Sequence, residues 1–235
     1  MLKHLLLAHG TRRGGLNKRL VSHIEDVMAP HEAEFSIAFL ESETEDAYTV
    51  IGRLIDEGTE HIVITPLLLL PASHLKKDIP EIASYFRSSY PRLKIDIRPA
   101  LVGHPLIQEI VRQRISEAEE KGNTGIAVVA HGNPDYPDAE TALAAFTETL
   151  EAGYPAHPMT LYGDPGLEEA LTEIAGRYDH MIIVPLFLYD GVMTEKVKSA
   201  AQSLDLGISY EVTPSLNFDP LLGRVIVDHI DGQLM

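Results

Sequence analysis

Short apolar runs alternate with amphipathic segments along the first half of the chain. The apolar runs predict strands at 5–8, 35–40, 62–70 and 95–101. Segments with helical periodicity predict helices near 15–29, 45–57, 79–88 and 105–118. Because parallel strands need crossover connections, this alternation predicts a parallel sheet with helices on both faces.

The second half repeats the pattern of the first. LLLAHGTR around His9 recurs as AVVAHGNP around His131, and ITPLLLLPASH (64–74) recurs as IVPLFLYDGVM (183–193). RPALVGHPLIQEIVRQRI (98–115) recurs as VTPSLNFDPLLGRVIVDHI (212–230). Three matches in the same order indicate an internal duplication of about 115 residues.

The duplication predicts the architecture of the whole chain. Strands are expected near 126–130, 158–162, 181–188 and 208–213, and helices near 138–151, 166–177, 194–204 and 219–230. The charged, glycine-bearing stretch EAEEKGNTG (117–125) is the predicted linker. We therefore predict an α/β protein with two flavodoxin-like lobes, 1–118 and 125–235, each a four-stranded parallel sheet flanked by helices.

Candidate chemistry lies at the carboxyl ends of the first three strands. His9 directly follows strand 1, Glu41 follows strand 2, and His74 follows strand 3. With a strand order of 2-1-3-4, the three side chains reach one edge of the sheet, at the point where ligands bind in such folds. Gly10 is expected to permit a tight turn after His9, and Asp78 to cap the following helix. Imidazoles and a carboxylate at this edge favour either divalent-metal binding or acid–base chemistry.

Charge is distributed very unevenly between the two halves. The chain carries 19 Lys and Arg against 35 Asp and Glu, a formal net charge of −16. Residues 1–115 hold 14 basic and 15 acidic residues, and residues 116–235 hold 5 and 20. The net charge argues against nucleic acid or an anionic membrane as a partner. The basic side chains of the first half, near His9 and His74, are candidates for receiving an anionic small molecule.

Composition and missing motifs exclude several classes of protein. There is no cysteine, so any metal must be held by histidine, carboxylate or carbonyl groups. Walker A, dinucleotide-binding, G-x-S-x-G and H-E-x-x-H motifs do not occur. The apolar run at 62–72 is broken by prolines and is too short to span a bilayer, and the N-terminus lacks the features of a secretory signal. We expect a cytoplasmic protein without a membrane helix.

The quoted motifs resemble those of a known family. LLLAHGTR with Asn17, the AFLE segment ending at Glu41, PLLLLPASHLKKDIP and the later Gly103-His104-Pro105 are similar to motifs of the sirohydrochlorin chelatases, the ATP-independent class II tetrapyrrole metal chelatases. The resemblance is specific in the first half and extends to the second in fold pattern, as in long two-lobe members of that family. It implies a lyase that inserts Fe²⁺ or Co²⁺ into sirohydrochlorin for siroheme or cobalamin biosynthesis.

The resemblance also implies roles for particular residues. His9, His74 and Glu41 match the family's catalytic and metal-binding positions. The metal is then a substrate, and no tightly bound cofactor is expected. Sirohydrochlorin carries eight carboxylates, and the candidates for holding them are Arg12, Arg13, Lys76 and Lys77.

The second half departs from the family pattern at two positions. His131 matches His9, but Met193 stands in the place of His74, and Gly163 is expected opposite Glu41. We therefore expect one catalytic lobe and one degenerate lobe that forms a wall of the cleft. The second lobe would replace the second subunit of shorter relatives, which predicts a monomer with pseudo-dimeric lobes.

Two other functions remain open at this point. A histidine phosphatase also presents His-Gly after strand 1, but those enzymes need an arginine directly before the histidine, where this chain has Ala8. A tetrapyrrole or metal carrier could use the same histidine pair without turnover. A metallation assay on the metal-free tetrapyrrole separates the carrier from the enzyme.

Overall fold

The computed structural model describes residues 1–12, 14–119 and 121–233, and they form two compact units. Unit 1 comprises Met1–His104 and Pro220–Met235, and unit 2 comprises Pro105–Asp219. Each unit contains one four-stranded parallel sheet with helices packed on it, as the periodicity predicts. Within the described residues, no helix has the length and apolar character needed to cross a bilayer.

Unit 1 has the predicted strand order, β2-β1-β3-β4. Its elements are β1 (Leu2–Gly10), α1 (Gly14–Met28), β2 (Ser36–Glu41), α2 (Ala47–Asp56), β3 (His61–Pro66), a π-helical turn (His74–Asp78), α3 (Ile79–Ser89), β4 (Lys94–Ile97), a 3₁₀ turn (Leu101–Gly103) and, from the C-terminus, the last helix (Leu221–Asp231). Leu5, Leu6 and Leu7 of the central strand are fully buried. Leu5 and Leu7 belong to a core cluster that includes residues of α2 and α3, so the apolar run of strand 1 is explained by helices on its faces.

Unit 2 repeats the topology with the order β6-β5-β7-β8. Its elements are α4 (Pro105–Glu117), β5 (Thr124–Ala130), α5 (Asp138–Glu148), β6 (Ala156–Thr160), α6 (Leu167–Ala175), β7 (His180–Pro185), α7 (Val192–Ser203) and β8 (Ser209–Val212). The last helix of the chain, Leu221–Asp231, is α8. Every residue of β5 is buried, as expected for a central parallel strand.

The predicted strands at 62–70 and 95–101 are shorter in the structure. β3 ends at Pro66, and the chain beyond it leaves the sheet ladder. The carbonyls of Leu68 and Leu69 instead accept hydrogen bonds of 2.9 and 3.0 Å from the backbone N–H groups of Leu101 and Val102 in the 3₁₀ turn. Apolar residues continue past both strand ends because these turns are packed, which is why periodicity alone overestimated the strands.

The compact units differ from the predicted boundaries at 118 and 125. Helix α4 belongs to unit 2, where Arg114 donates to the carbonyls of Ser215 and Leu216 and pairs with Asp219 at 3.1 Å. Helix α8 belongs to unit 1, where it lies against α1 and β3. Gly223 permits this approach, because a Cβ there would lie 2.2 Å from the carbonyl oxygen of Val27. The helix that ends each sequence repeat therefore completes the other unit.

Candidate active site

His9 is positioned by the tight turn that follows β1. Gly10 has φ +73°, and a Cβ there would lie 2.5 Å from the carbonyl oxygen of Glu41, so this position requires glycine. The Nδ1 of His9 lies 2.8 Å from the carbonyl oxygen of Gly10. Since a carbonyl only accepts, Nδ1 is the donor, and Nε2 is the nitrogen that presents a lone pair in the neutral form of the ring. His9 is exposed, as expected for a residue at the edge of the sheet.

His74 begins the π-helical turn before α3 and reaches the ring of His9. The two ring centroids are 4.5 Å apart and the rings are nearly perpendicular, at 80°. The Nδ1 of His74 donates to Oδ2 of Asp78 at 2.6 Å, so Nε2 is again the nitrogen that presents a lone pair in the neutral form of the ring. The topology therefore brings together the two imidazoles that the sequence places 65 residues apart.

Asp78 has a different role from the predicted helix cap. Its backbone is helical (φ −64°, ψ −46°) and its side chain makes no capping hydrogen bond. The π-helical turn carries the chain into α3 without a break, so no free N-terminus needs a cap there. The i, i+4 spacing of His74 and Asp78 was the signal in the sequence for their contact. Turns of this kind frequently occur at functional sites.

Glu41 ends β2 directly beside the loop of His9. Its backbone pairs with Gly10 in the sheet register, and its side chain is exposed. Within the described residues, no group of three or more His, Asp or Glu side chains is close enough to hold a metal ion. The structure thus brings the two imidazoles together. That Glu41 acts as a third metal ligand stays a prediction.

Asn17 holds the loop of His9 and the end of β2 together. It is 6% exposed, accepts the N–H of Thr11 at 2.7 Å, and donates to the carbonyls of Thr11 and Glu41 at 2.9 and 3.2 Å. Beyond Glu41, Asp46 caps α2. Burial acts to raise the pKa of Asp46, but hydrogen bonds from the Thr49 side chain and from the amides of Thr49 and Tyr48 hold it below its usual value.

The candidate substrate-binding cations lie near the imidazole pair along the chain. Lys76 and Lys77 are exposed on the π-helical turn that carries His74. Arg12 is exposed three residues after His9. Arg13 lies outside the described residues, so its prediction has no structural counterpart.

Unit 2 has a counterpart of His9 but no counterpart of His74, whose place in the sequence is taken by Met193. His131 has the same contact as His9, with Nδ1 2.7 Å from the carbonyl oxygen of Gly132, whose φ is also +73°. Ala8 pairs with Phe39 and Ala130 with Thr160, so the position equivalent to Glu41 is Tyr162. The predicted counterpart of Glu41, Gly163, is therefore wrong by one residue. Spacing in the sequence does not determine the strand register on which this position depends.

In unit 2, Tyr162 lies against His131, and Lys196 contacts Tyr162. The ring centroids of His131 and Tyr162 are 4.8 Å apart. The Lys196 ammonium lies 5.1 Å from the centre of the Tyr162 ring and donates a hydrogen bond to its hydroxyl. Sequence reasoning missed both residues, because neither stands in a motif and their meeting depends on the fold.

Known proteins resemble this chain over both halves. The sequence model of the CbiX family matches residues 3–118 and 125–233. A sirohydrochlorin cobaltochelatase of Priestia megaterium is 24% identical, over 98% of this chain and 79% of its own length. A sirohydrochlorin ferrochelatase of Bacillus subtilis (strain 168) is 24% identical, over 85% of this chain and 79% of its own length.

Solved structures show the same two-lobe chelatase-like fold. SirB from Bacillus subtilis with Fe³⁺ has a TM-score of 0.84 at 22% identity, covering 99% of this chain and 95% of that protein. CbiX, described as the terminal enzyme of siroheme biosynthesis in denitrifying bacteria, has a TM-score of 0.69 at 17% identity and covers 99% of this chain and all of that protein. With the family model matching nearly its whole length, the chain belongs to the CbiX family.

Proposed function

We propose that this protein inserts Fe²⁺ or Co²⁺ into sirohydrochlorin without nucleotide hydrolysis, as a lyase of siroheme or cobalamin biosynthesis. The observation that carries the proposal is the pair of imidazoles, His9 and His74, with centroids 4.5 Å apart and both Nδ1 atoms engaged. Family membership and the names of the curated relatives support it.

Metal insertion needs bases and a temporary metal site. The reaction replaces two pyrrole N–H protons with M²⁺, so two protons leave for each metal that enters. The free Nε2 atoms of His9 and His74 bind the incoming metal, which is a substrate, and accept protons as it passes to the macrocycle. An open two-imidazole site suits this task, because a closed set of ligands would hold the metal too tightly to release it. Glu41 supplies an exposed carboxylate beside them as a further base or ligand.

The substrate is recognised through its carboxylates. Arg12, Arg13, Lys76 and Lys77 hold these groups by charge-assisted hydrogen bonds. No tightly bound cofactor takes part, and neither nucleic acid nor a membrane is a partner. The protein works in the cytoplasm as a monomer, with its first sequence repeat supplying the catalytic residues and its second repeat serving as a degenerate lobe.

Substitution of the two histidines tests the proposal. His9→Ala and His74→Ala should each lower turnover about 100-fold or more, which is the usual contribution of general acid–base groups. The assay follows the absorbance change of sirohydrochlorin with Fe²⁺ or Co²⁺, and circular dichroism checks the fold. His131→Ala is the matched control, because it has the same turn and hydrogen bond but no partner imidazole. It should keep most of the activity.

Two results would contradict this assignment. Near wild-type turnover in either the His9 or the His74 variant would rule out the imidazole pair as the site. Tight binding of sirohydrochlorin and metal by the wild-type chain without formation of the metallated product would identify a carrier instead of an enzyme.

A further inference from the structure

Unit 2 is strongly acidic, yet one of its lysines contacts no carboxylate among the residues that the structure describes. Residues 105–219 contain six Lys and Arg against 19 Asp and Glu. In the described part of this unit, five of the six cations pair with carboxylates at 2.7–3.1 Å, namely Arg112, Arg114, Lys121, Arg177 and Lys198. The sixth, Lys196, has Tyr162 as its contact instead.

The contact between Lys196 and Tyr162 leaves hydrogen-bond donors available. The phenol oxygen accepts one N–H of the ammonium, so the phenol keeps its own O–H to donate, and the ammonium keeps two further N–H groups. Tyr162 is 41% exposed, so a ligand can reach this pair from solvent. An ammonium and a phenol O–H side by side match the two oxygens of one carboxylate.

The pair lies at the edge of the sheet where ligands bind in this fold. Tyr162 follows β6 at the position equivalent to Glu41, and Lys196 lies in the helix that follows β7. Lys196 directly precedes the buried Val197 of α7, as Asp78 directly precedes the buried Ile79 of α3, so unit 2 has a cation where unit 1 has the carboxylate partner of His74. Unit 2 has therefore lost the second imidazole but carries a cation at this edge.

Aromatic surface lies on neighbouring connections of the same unit. Tyr189, in the connection after β7, is 47% exposed and stacks on Phe218 with centroids 5.8 Å apart and planes 9° from parallel. Phe218 and the preceding Asn217 both have positive φ, +49° and +46°, a conformation that costs free energy in residues other than glycine. The exposed Tyr189 ring lies on the connection that leads into the helix of Lys196, and such a ring favours a ligand that combines a π-system with carboxylates over a small inorganic anion.

We propose that Lys196 and Tyr162 form a carboxylate-binding site on unit 2 that receives an acidic side chain of the tetrapyrrole. The identity of this ligand rests on the proposed function. The ring of His131 lies against the Tyr162 ring, with centroids 4.8 Å apart. The second sequence repeat thus contributes to substrate affinity although it lacks the imidazole pair.

Equilibrium titration of the full chain with metal-free sirohydrochlorin tests this site. Lys196→Gln should raise the Kd about fivefold, the upper range for an exposed ion pair, and Tyr162→Phe about twofold. Lys198→Gln is the control, because that lysine lies two residues away on the same helix and is paired with Glu195 at 2.8 Å. Its Kd should equal that of the wild type. In about 1 M salt, where charges are screened within about 3 Å, the difference between wild type and Lys196→Gln should disappear.

The outcomes separate this inference from the proposed function. Unchanged affinity in Lys196→Gln, or an equal loss in Lys198→Gln, would overturn the site even if the chain inserts metal normally. If Lys196→Gln lowers the melting temperature but leaves the affinity for sirohydrochlorin unchanged, the contact between Lys196 and Tyr162 stabilises the fold and does not bind the ligand. If the wild-type chain binds sirohydrochlorin but does not metallate it, the proposed function fails, and the titration still decides whether Lys196 binds the tetrapyrrole.

Discussion

Replacing Asp78 by Asn should lower metal insertion about tenfold while leaving the fold intact. Oδ2 of Asp78 accepts the Nδ1–H of His74 at 2.6 Å, which fixes the ring orientation and directs Nε2 towards the site. Partners of this kind contribute roughly 10- to 100-fold to metal affinity or activity. The His74 and Asp78 side chains are 31% and 40% exposed, so water weakens their contact. We therefore expect a loss of activity at the lower end of this range, about tenfold. Tenfold corresponds to about 1.4 kcal/mol of activation free energy.

A second His–Asp pair in unit 1 provides the control for this measurement. Nε2 of His61 lies 2.8 Å from Oδ2 of Asp96, with similar exposure of 29% and 39%. His61 begins β3, at the opposite end of that strand from the imidazole site. Initial rates of sirohydrochlorin metallation over a range of metal concentrations should therefore fall for Asp78→Asn and stay unchanged for Asp96→Asn. Equal losses in both variants, or no loss in either, would refute the positioning role of Asp78.

Three further predictions concern the substrate, pH and chain assembly. Changing Arg12, Lys76 and Lys77 together to Gln should raise KM for sirohydrochlorin more than it lowers kcat, with a smaller effect in high salt, as steady-state kinetics will show. Burial lowers the pKa of His229, so below about pH 6.5 the unfolded chain binds a proton that the folded chain does not. Melting temperatures should fall as the pH drops below this value, and His229→Gln should flatten the slope. Residues 1–120 expressed alone lack α8 and should aggregate or dimerise in light scattering; a stable, active monomer would contradict this.

The expected behaviour of the fragment follows from the burial of α8. Leu222, Val225, Ile226 and Ile230 are at most 4% exposed. Burying four such side chains stabilises a protein by roughly 6–12 kcal/mol, which is comparable to the whole stability of a typical domain, about 5–15 kcal/mol. Unit 1 without α8 would therefore have little stability left.

Hydrophobic periodicity and the internal repeat were sufficient to predict the sheets and the convergence of the histidines. The order 2-1-3-4 was a premise taken from doubly wound folds, which the structure confirms, and the edge that carries His9 and His74 follows from that order. The exchange of α4 and α8 could not be predicted, because periodicity shows that a helix has an apolar face but not which sheet that face covers. The role of Asp78 was also missed, since an Asp before Ile-Pro-Glu matches an ordinary N-cap when the helix is assumed to start there.

Comparison of the two repeats separates what the fold requires from what the chemistry requires. The turn, the glycine with φ +73° and the Nδ1 hydrogen bond occur at both His9 and His131, so they belong to the fold. Ile79 and Val197 are the equivalent fully buried residues of α3 and α7, each followed four residues later by a buried alanine. The chain from β3 to Ile79 is one residue longer than the chain from β7 to Val197, and the extra residue is taken up by the π-helical turn. That turn is what presents His74 to His9 with Asp78 behind it. Placing a histidine at Met193 would restore the residue type without the turn, so we expect Met193→His to leave unit 2 without a second metallation site.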